Sequence, residues 1–216
     1  MNVRLLIAFL SLLIVAIAPI GLVVHAAYPS LTIQGNVLDK TYNFEVTPPL
    51  LIDVKFSNLQ PNGGVDNLGL SFKDNNSQEI FVLYVKASGD LVLHVPIAGV
   101  TTDQVLGSWQ SLGEIKIRYW NDKLEILDAN GNQLYEIDNS FPPIEYVWAH
   151  SSNTSYAAFS SGSITISGED DPSVITKQTS DMINAFMPMF ATMVAIGFMV
   201  GILNKMTSIF EGMFKL

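Results

Sequence analysis

The sequence contains no cysteine and few charged residues, and each absence excludes a class of site. None of the 216 residues is cysteine, and 14% are charged. Without cysteine the chain can form no disulfide framework, no thiolate metal site and no cysteine nucleophile. If the chain is exported, its core and its hydrogen bonds must stabilise it unaided.

Basic residues are also scarce between the two apolar ends. Residues 28–181 hold one arginine and seven lysines against nineteen aspartates and glutamates, a net charge of about −11. This balance argues against nucleic acid as a partner and against a basic membrane-binding face. The histidines in this part are His94 and His150. Two histidines without a defined partner predict neither a catalytic triad nor a metal site.

A long uncharged run lies near the C-terminus. Residues 182–203 carry no charged side chain. As a helix at about 1.5 Å per residue they extend about 33 Å, enough to cross a bilayer core of about 30 Å. We predict a transmembrane helix over residues 182–203. A short amphipathic tail over residues 204–216 then leaves Lys205 and Lys215 on the cytoplasmic or interior side of the membrane.

The first 27 residues have the order of a secretory signal. Arg4 is followed by an apolar run and then by the small residues Ala26 and Ala27. The pattern predicts residues 1–27 as a signal peptide cleaved after Ala26, with an uncleaved anchor as the alternative. We expect the middle of the chain to be extracellular and the C-terminus cytoplasmic or interior. The predicted location is therefore a single-pass membrane protein of a cell surface or viral envelope.

Apolar and polar residues alternate along much of residues 28–167. In residues 114–120, apolar side chains alternate strictly with Lys116, Arg118 and Trp120. About eleven short segments of this kind are separated by turn signals, and none has a helical period. We predict an all-β ectodomain over residues 28–167, an antiparallel β-sandwich of the jelly-roll type. The clearest segments are 50–56, 80–85, 91–95, 114–120, 123–127, 134–137, 145–150, 156–159 and 163–167.

Part of this pattern resembles the concanavalin A-like jelly roll of laminin-G and related lectin domains. Trp109 precedes the segment 114–120, Asn130-Gly131 follows the next strand, and residues 159–166 form a closing segment that begins with phenylalanine. The resemblance covers roughly residues 41–167. It implies the sandwich fold and a lectin-like surface that binds sugars or proteins.

Jelly-roll glucanases related to this family carry catalytic carboxylates on one strand in the pattern Glu-x-Asp-x-Glu. Here Glu136 and Asp138 occupy the first two acidic positions, but Ser140 stands at the third and Pro142 follows it closely. The pattern that aims acids at one sugar bond is therefore incomplete. We predict that the protein is not an enzyme.

The predicted sandwich carries candidate residues for binding and for modification. Aromatic rings can stack on a sugar or a protein partner, but sandwich cores also bury such rings, so each candidate has the core as its alternative. Two asparagines stand in N-x-S/T triplets, which are glycosylation acceptors in exported domains. The candidates are Trp109, Trp120, Trp148 and Tyr146 for binding, and Asn75 and Asn153 for glycosylation.

An acidic segment connects the predicted sandwich to the predicted transmembrane helix. Residues 168–181 include Glu169, Asp170 and Asp171, and we interpret them as an acidic and polar stalk. The three carboxylates are candidate ligands for Ca2+, with a solvated turn as the alternative, because adjacent carboxylates need partners from elsewhere to coordinate one ion. No other cofactor is predicted.

Small residues recur at intervals of four along the apolar run. Gly197 and Gly201 form one such pair, and Ala191 and Ala195 form another. Such pairs let helix backbones approach closely in a bilayer, which favours self-association or packing against another membrane protein. The alternative is that glycine and alanine are simply common in membrane helices.

Two functional hypotheses follow from these features. The first is a membrane-anchored structural or assembly subunit of a cell envelope, a virion membrane or a membrane complex. Its partners would be the lipid bilayer, other copies of the chain or other envelope proteins. The alternative is an anchored lectin-like module that binds glycans or proteins through its aromatic residues.

Overall fold

The computed structural model describes residues 28–99 and 103–213 of the chain. These residues form two units, a β-sandwich and a long helix that follows it. The predicted signal segment 1–27, with its cleavage site at Ala26, lies outside the described residues.

Two antiparallel sheets of six strands each form the sandwich, which confirms the predicted jelly-roll architecture. In spatial order the first sheet contains β1 (Ser30–Gln34), β12 (Phe159–Glu169), β3 (Leu50–Pro61), β8 (Glu114–Tyr119), β9 (Lys123–Asp128) and β10 (Gln133–Asp138). The second sheet contains β2 (Asp39–Val46), β11 (Ile144–Ser151), β4 (Asn67–Lys73), β5 (Glu79–Lys86), β6 (Asp90–His94) and β7 (Gln104–Ser108). A short helix, α1 (Trp109–Leu112), separates β7 from β8.

The alternation of residue types decides which face of each strand is buried. In β8, Ile115, Ile117 and Tyr119 are fully buried, while Lys116 and Arg118 point away from the core. A strand exposes successive side chains on opposite faces, so this pattern commits one face of the sheet to the core. The face assignment predicted from residues 114–120 is therefore confirmed.

The closing segments differ from the sequence prediction. Residues 156–159 and 163–167 were expected to form two strands, but residues from Phe159 onward form the single strand β12. Its pairing with β3 shifts register twice between Phe159 and Ser163. The polar residues Ser160 and Ser161 interrupt the alternation at these bulges, and this interruption made one strand look like two.

Aromatic side chains connect the two sheets through the core. Phe72 of β4 stacks on Phe81 of β5 with 4.3 Å between ring centroids, and Phe81 lies 6.0 Å from Tyr119 of the opposite sheet. All three side chains are fully buried. The Tyr119 hydroxyl donates a hydrogen bond to the Pro142 carbonyl, and burial raises the pKa of this phenol. Stacked and tilted rings add a directional term to the burial of apolar area.

The second unit is the helix α2 (Pro172–Met213). Within the described residues, its segment Ser180–Glu211 is the one helix long and apolar enough to cross a membrane. This supports the predicted anchor by length and composition. Thr192 Oγ donates to the Pro188 carbonyl at 2.8 Å, as expected for a threonine that bonds back to its own helix.

The residues predicted as a stalk divide between two elements. Gly168 and Glu169 belong to β12, and the helix already begins at Pro172. Proline is favoured at the first helical position because its missing N–H has no intrahelical acceptor there. The polar residues after it continue the helix that the apolar run favours, so their polarity did not indicate a break.

The core assignment predicts unequal effects of one substitution at two sites. Val85 of β5 is fully buried, whereas Val105 of β7 is 67% exposed. We expect Val85→Ala to lower the free energy of unfolding by about 2–3 kcal/mol, because two methyl groups leave a cavity. Val105→Ala should change it by less than about 1 kcal/mol. Thermal unfolding of the full chain in detergent measures both, and equal losses would contradict the assignment.

Candidate binding cleft on the second sheet

The outer face of the second sheet carries polar, aromatic and small apolar side chains in cross-strand rows. Residues directly opposite each other on neighbouring antiparallel strands have adjacent side chains on one face. The registers place three consecutive rows on this face. They are Trp148–Ser71–Val82–His94, then His150–Gly69–Tyr84–Val92, and then Asn67–Lys86.

Gly69, at the centre of the second row, leaves room for the His150 imidazole. A Cβ atom added to Gly69 would lie 2.5 Å from His150 Cε1 and 2.6 Å from His150 Nε2. The imidazole of His150 therefore lies against the backbone of β4, where only glycine leaves room. Ser71, the cross-strand neighbour of Trp148, is also small and fully buried.

Trp148 holds the His150 imidazole in this position. The two rings stack with centroids 4.2 Å apart and planes 22° apart. The indole N–H of Trp148 donates to Asp39 Oδ1 at 2.6 Å, and Lys73 Nζ lies 4.2 Å from the indole centroid. Both contacts orient the indole, and the cation over the ring adds electrostatic attraction. Trp148 is therefore a supporting residue that fixes His150.

Next to this cluster is an open cavity of about 370 Å³. We call it the binding cleft. Its lining is mostly polar and comes from four strands and from the loops that end them. The lining residues are Asn67, Tyr84, Lys86, His94, Asp103 and His150, with Ser152 alongside.

Burial and neighbouring charges shift the pKa values of two side chains in the binding cleft. Burial lowers the pKa of His150 below its usual value, and a backbone hydrogen bond at Trp148 opposes this only in part. Burial is also the main cause that raises the pKa of Tyr84, followed by the charges of Glu79 and Asp103. His94 Nδ1 lies 3.2 Å from Asp103 Oδ1, within ion-pair distance. At pH 7 the cleft therefore presents a neutral imidazole and a neutral phenol.

Two of the four predicted binding residues lie on this face. Tyr146 and Trp148 alternate with core residues along β11, and the Tyr146 hydroxyl shares a hydrogen bond with Ser77 Oγ. Neither residue lines the binding cleft itself. They stand next to it, with Trp148 in contact with the lining residue His150.

Trp109 is a core residue and not a binding residue. It is 5% exposed, its ring meets Phe159 edge-on at 5.6 Å, and its indole N–H donates to the Lys86 carbonyl at 2.8 Å. The helix α1 turns this side chain inward at the end of β7. Its burial excludes the stacking role that the sequence left open.

Trp120 belongs to a different cluster, at the outer face of the first sheet. Its indole N–H donates to Asp171 Oδ2 at 3.0 Å, and the same carboxylate oxygen lies 3.6 Å from Arg118 Nε. Lys123 Nζ lies 5.4 Å from the centroid of the Trp120 ring. Asp171 is 2% exposed, so this contact fixes the last residue before α2.

These contacts also decide the interpretation of the calcium candidates. Asp171 meets Trp120 and Arg118, Asp170 accepts a hydrogen bond from the Tyr28 hydroxyl at 2.7 Å, and Glu169 ends β12. Across residues 28–99 and 103–213, no three histidine, aspartate or glutamate side chains group as metal ligands. Asp170 and Asp171 are thus directed to different protein partners.

The other predicted sites fall at separate positions. Asn75 is exposed in the turn after β4, and Asn153 accepts a hydrogen bond from the Ser155 N–H at 2.8 Å. The helix positions Ala191, Ala195, Gly197 and Gly201 are exposed along α2. Glu136 is on the edge strand β10, 3.2 Å from Lys123 Nζ.

Sequence reasoning missed most of the residues that line the binding cleft. The available signal was that Asn67, Gly69 and Ser71 share one face of β4 and alternate with core residues. Small outward residues in the middle of a sheet mark a depression. Which neighbours surround that depression depends on the pairing of β4 with β11, far away in sequence.

Comparisons with known proteins give likenesses in three dimensions only. No family model matches the chain, and no curated protein matches it in sequence. Solved structures that are similar include a sialidase (10% identity, TM-score 0.45, 74% of this chain), of which the matched part is only 18%. Others are CG-16, a homodimeric agglutinin from chicken liver (12% identity, TM-score 0.38, 64% of this chain and 99% of that one), and a tetrameric galectin from the ball sponge Cinachyrella (12% identity, TM-score 0.42, 60% and 98%). The likeness concerns the arrangement of strands and carries no ligand over to this chain.

The position of His150 predicts how a substitution at Gly69 changes its titration. In Gly69→Ala the added Cβ must displace the imidazole toward water, so the pKa of His150 should rise toward about 6.5. In the native protein the folded-state pKa is below the unfolded one. The free energy of unfolding therefore decreases as pH falls through about 6.5, and this decrease should shrink in the variant.

NMR titration of the His150 ring protons measures the shift, with assignment by a His150→Gln variant. Ser71→Ala, which adds no atom beside the ring, is the control. An unchanged His150 pKa in Gly69→Ala would contradict the described position of the imidazole.

Proposed function

We propose that the protein is a membrane-anchored binding module that binds a glycan in the cleft on the outer face of its second sheet. The observation that carries this proposal is the combination of ring surfaces with polar groups that have no partner in the part of the chain described. Tyr84 and His150 supply the rings. The Asn67 side-chain amide and the Tyr84 hydroxyl make no hydrogen bond to any described residue, whereas the Asn67 backbone N–H donates to Ser152 Oγ.

Sugars match this combination better than most small molecules. A sugar ring has an apolar C–H face that packs on an aromatic ring, and hydroxyls that need both donors and acceptors. The two rings carry a phenol hydroxyl and imidazole nitrogens, and the binding cleft adds an amide, a second imidazole and a carboxylate. A mostly polar and open cavity of about 370 Å³ also suits a hydrated ligand of one or two sugar units.

A membrane anchor would hold such a module at a membrane surface. Ser180–Glu211 has the length and composition of a membrane span, and the sandwich before it is strongly acidic. An acidic domain is repelled by the anionic lipids and phosphates that attract basic modules. A glycan therefore fits the domain better than nucleic acid or an anionic lipid headgroup does.

Loss of a cleft ring should weaken glycan binding. We expect Tyr84→Ala to reduce affinity at least tenfold, because it removes a ring and a hydroxyl from the lining. Trp148→Ala should also weaken binding, because His150 loses the ring that holds it. The measurement is binding of the purified full chain in detergent to a broad glycan array, followed by calorimetry on the best ligand.

Trp120→Ala is a matched control for Trp148→Ala. Each indole donates to an aspartate, and each has a lysine within 5.4 Å of its ring centroid. Trp120, however, lies on the other sheet. Equal losses in the two tryptophan variants, or no binding by the wild type, would contradict the proposal.

The helix supports a second function, that of an assembly subunit. All side chains of residues 180–211 except Met193 are exposed, and a Cβ at Gly197 or Gly201 would meet no atom within 4 Å. If this small-residue face packs against another helix, Gly197→Leu with Gly201→Leu should reduce the mass of the native particle. Native mass spectrometry in mild detergent measures that mass, with Val194→Leu as the control, and an unchanged particle would contradict this function.

A further inference from the structure

We propose that the binding cleft selects glycans that carry a carboxylate, and that Lys86 binds this group. The inference rests on the proposed glycan-binding function and adds the chemical class of the ligand. It comes from the pairing of the basic side chains in the sandwich.

Lys86 differs from every other basic side chain of the described sandwich. Residues 28–172 contain seven lysines and arginines among eighteen aspartates and glutamates. Six of the seven basic side chains contact a carboxylate or an aromatic ring, whereas no ion pair or ring contact within the described residues involves Lys86. The six are Lys40, Lys55, Lys73, Lys116, Arg118 and Lys123.

The absence of a partner is unexpected in so acidic a domain. With carboxylates in more than twofold excess, a lysine on the surface would be expected to pair with one. The one carboxylate that lines the binding cleft, Asp103, lies against His94 instead. Lys86 therefore lines the cleft with no carboxylate of the described residues paired to it.

The neighbours of Lys86 complete a site for a carboxylate. Asn67 is its cross-strand partner, so the two Cβ atoms are about 5 Å apart on the same face. An ammonium and an amide N–H at this spacing can each donate to one oxygen of the same carboxylate. Charge-assisted hydrogen bonds of this kind are stronger than neutral ones. The net charge of about −11 on residues 28–172 repels anions at long range, so selectivity must come from this local contact.

Matched pairs of sugars test the proposal directly. The probes are methyl galactoside with methyl galacturonide, and methyl glucoside with methyl glucuronide, each pair differing only at carbon 6. Sodium acetate tests whether a carboxylate without a sugar is sufficient. Binding is measured by calorimetry on the full chain in detergent at pH 7, at about 20 mM and about 500 mM salt.

We expect the wild type to bind at least one uronide about tenfold more tightly than its neutral twin, and acetate not measurably. The preference should shrink at high salt, because screening shortens the reach of the lysine charge. Lys86→Met keeps the length of the side chain and should abolish the preference for the uronide over its neutral twin. Lys55→Met, on the other sheet, should keep the preference.

The contradicting results are distinct. Equal affinity for both twins in the wild type, or a preference that survives Lys86→Met, overturns the role of Lys86 and leaves the glycan-binding function standing. Acetate binding as tight as the uronide would show that the cleft recognises the anion without the sugar, which overturns the selection of a glycan. Binding of no sugar at all overturns this inference together with the proposed function.

Discussion

Burial of one face of each sheet against the other is the constraint on which the rest of the sandwich depends. Phe72, Phe81 and Tyr119 meet between the sheets, and the strands that carry them can turn only alternate side chains inward. Every second residue is thereby committed to the core, and the remaining residues are free to vary with function. The chain has no disulfide that could take over part of this work, so the packing between the sheets must supply the stability.

The two outer faces use that freedom differently. On the first sheet, basic and acidic side chains pair with each other across neighbouring strands, as Lys116 does with Asp53. On the second sheet, Gly69 leaves room for the His150 imidazole, and no ion pair within the described residues involves Lys86, although Lys73 and Glu79 do pair. The second face thus keeps hydrogen-bond donors, rings and the Lys86 side chain beside the cleft. The candidate site is assigned from this contrast between the two outer faces, and not from the fold.

Local pattern was enough to predict most strands and the apolar helix, because period-two alternation and a long uncharged run are properties of neighbouring residues. The strand at residues 114–120 and the apolar helix could therefore be read from the sequence. The binding cleft could not, since it depends on which distant strand pairs with β4. Trp109 shows the same limit, because only the turn of α1 decides that its ring enters the core. The contacts of the acidic segment could not be predicted for a related reason. Asp171 contacts Arg118 of β8 and Trp120 just after that strand, and both are distant in sequence.

The most direct test of the account is to follow ring signals of the full chain by NMR while a glycan from the array is added. The chain has three histidines and three tryptophans, so the signals are few and separable. If the outer face of the second sheet binds the ligand, the His94 and His150 signals shift together and the Trp120 and Trp109 indoles do not. A shift of the Trp120 indole with both imidazoles unmoved would place binding elsewhere and contradict the account.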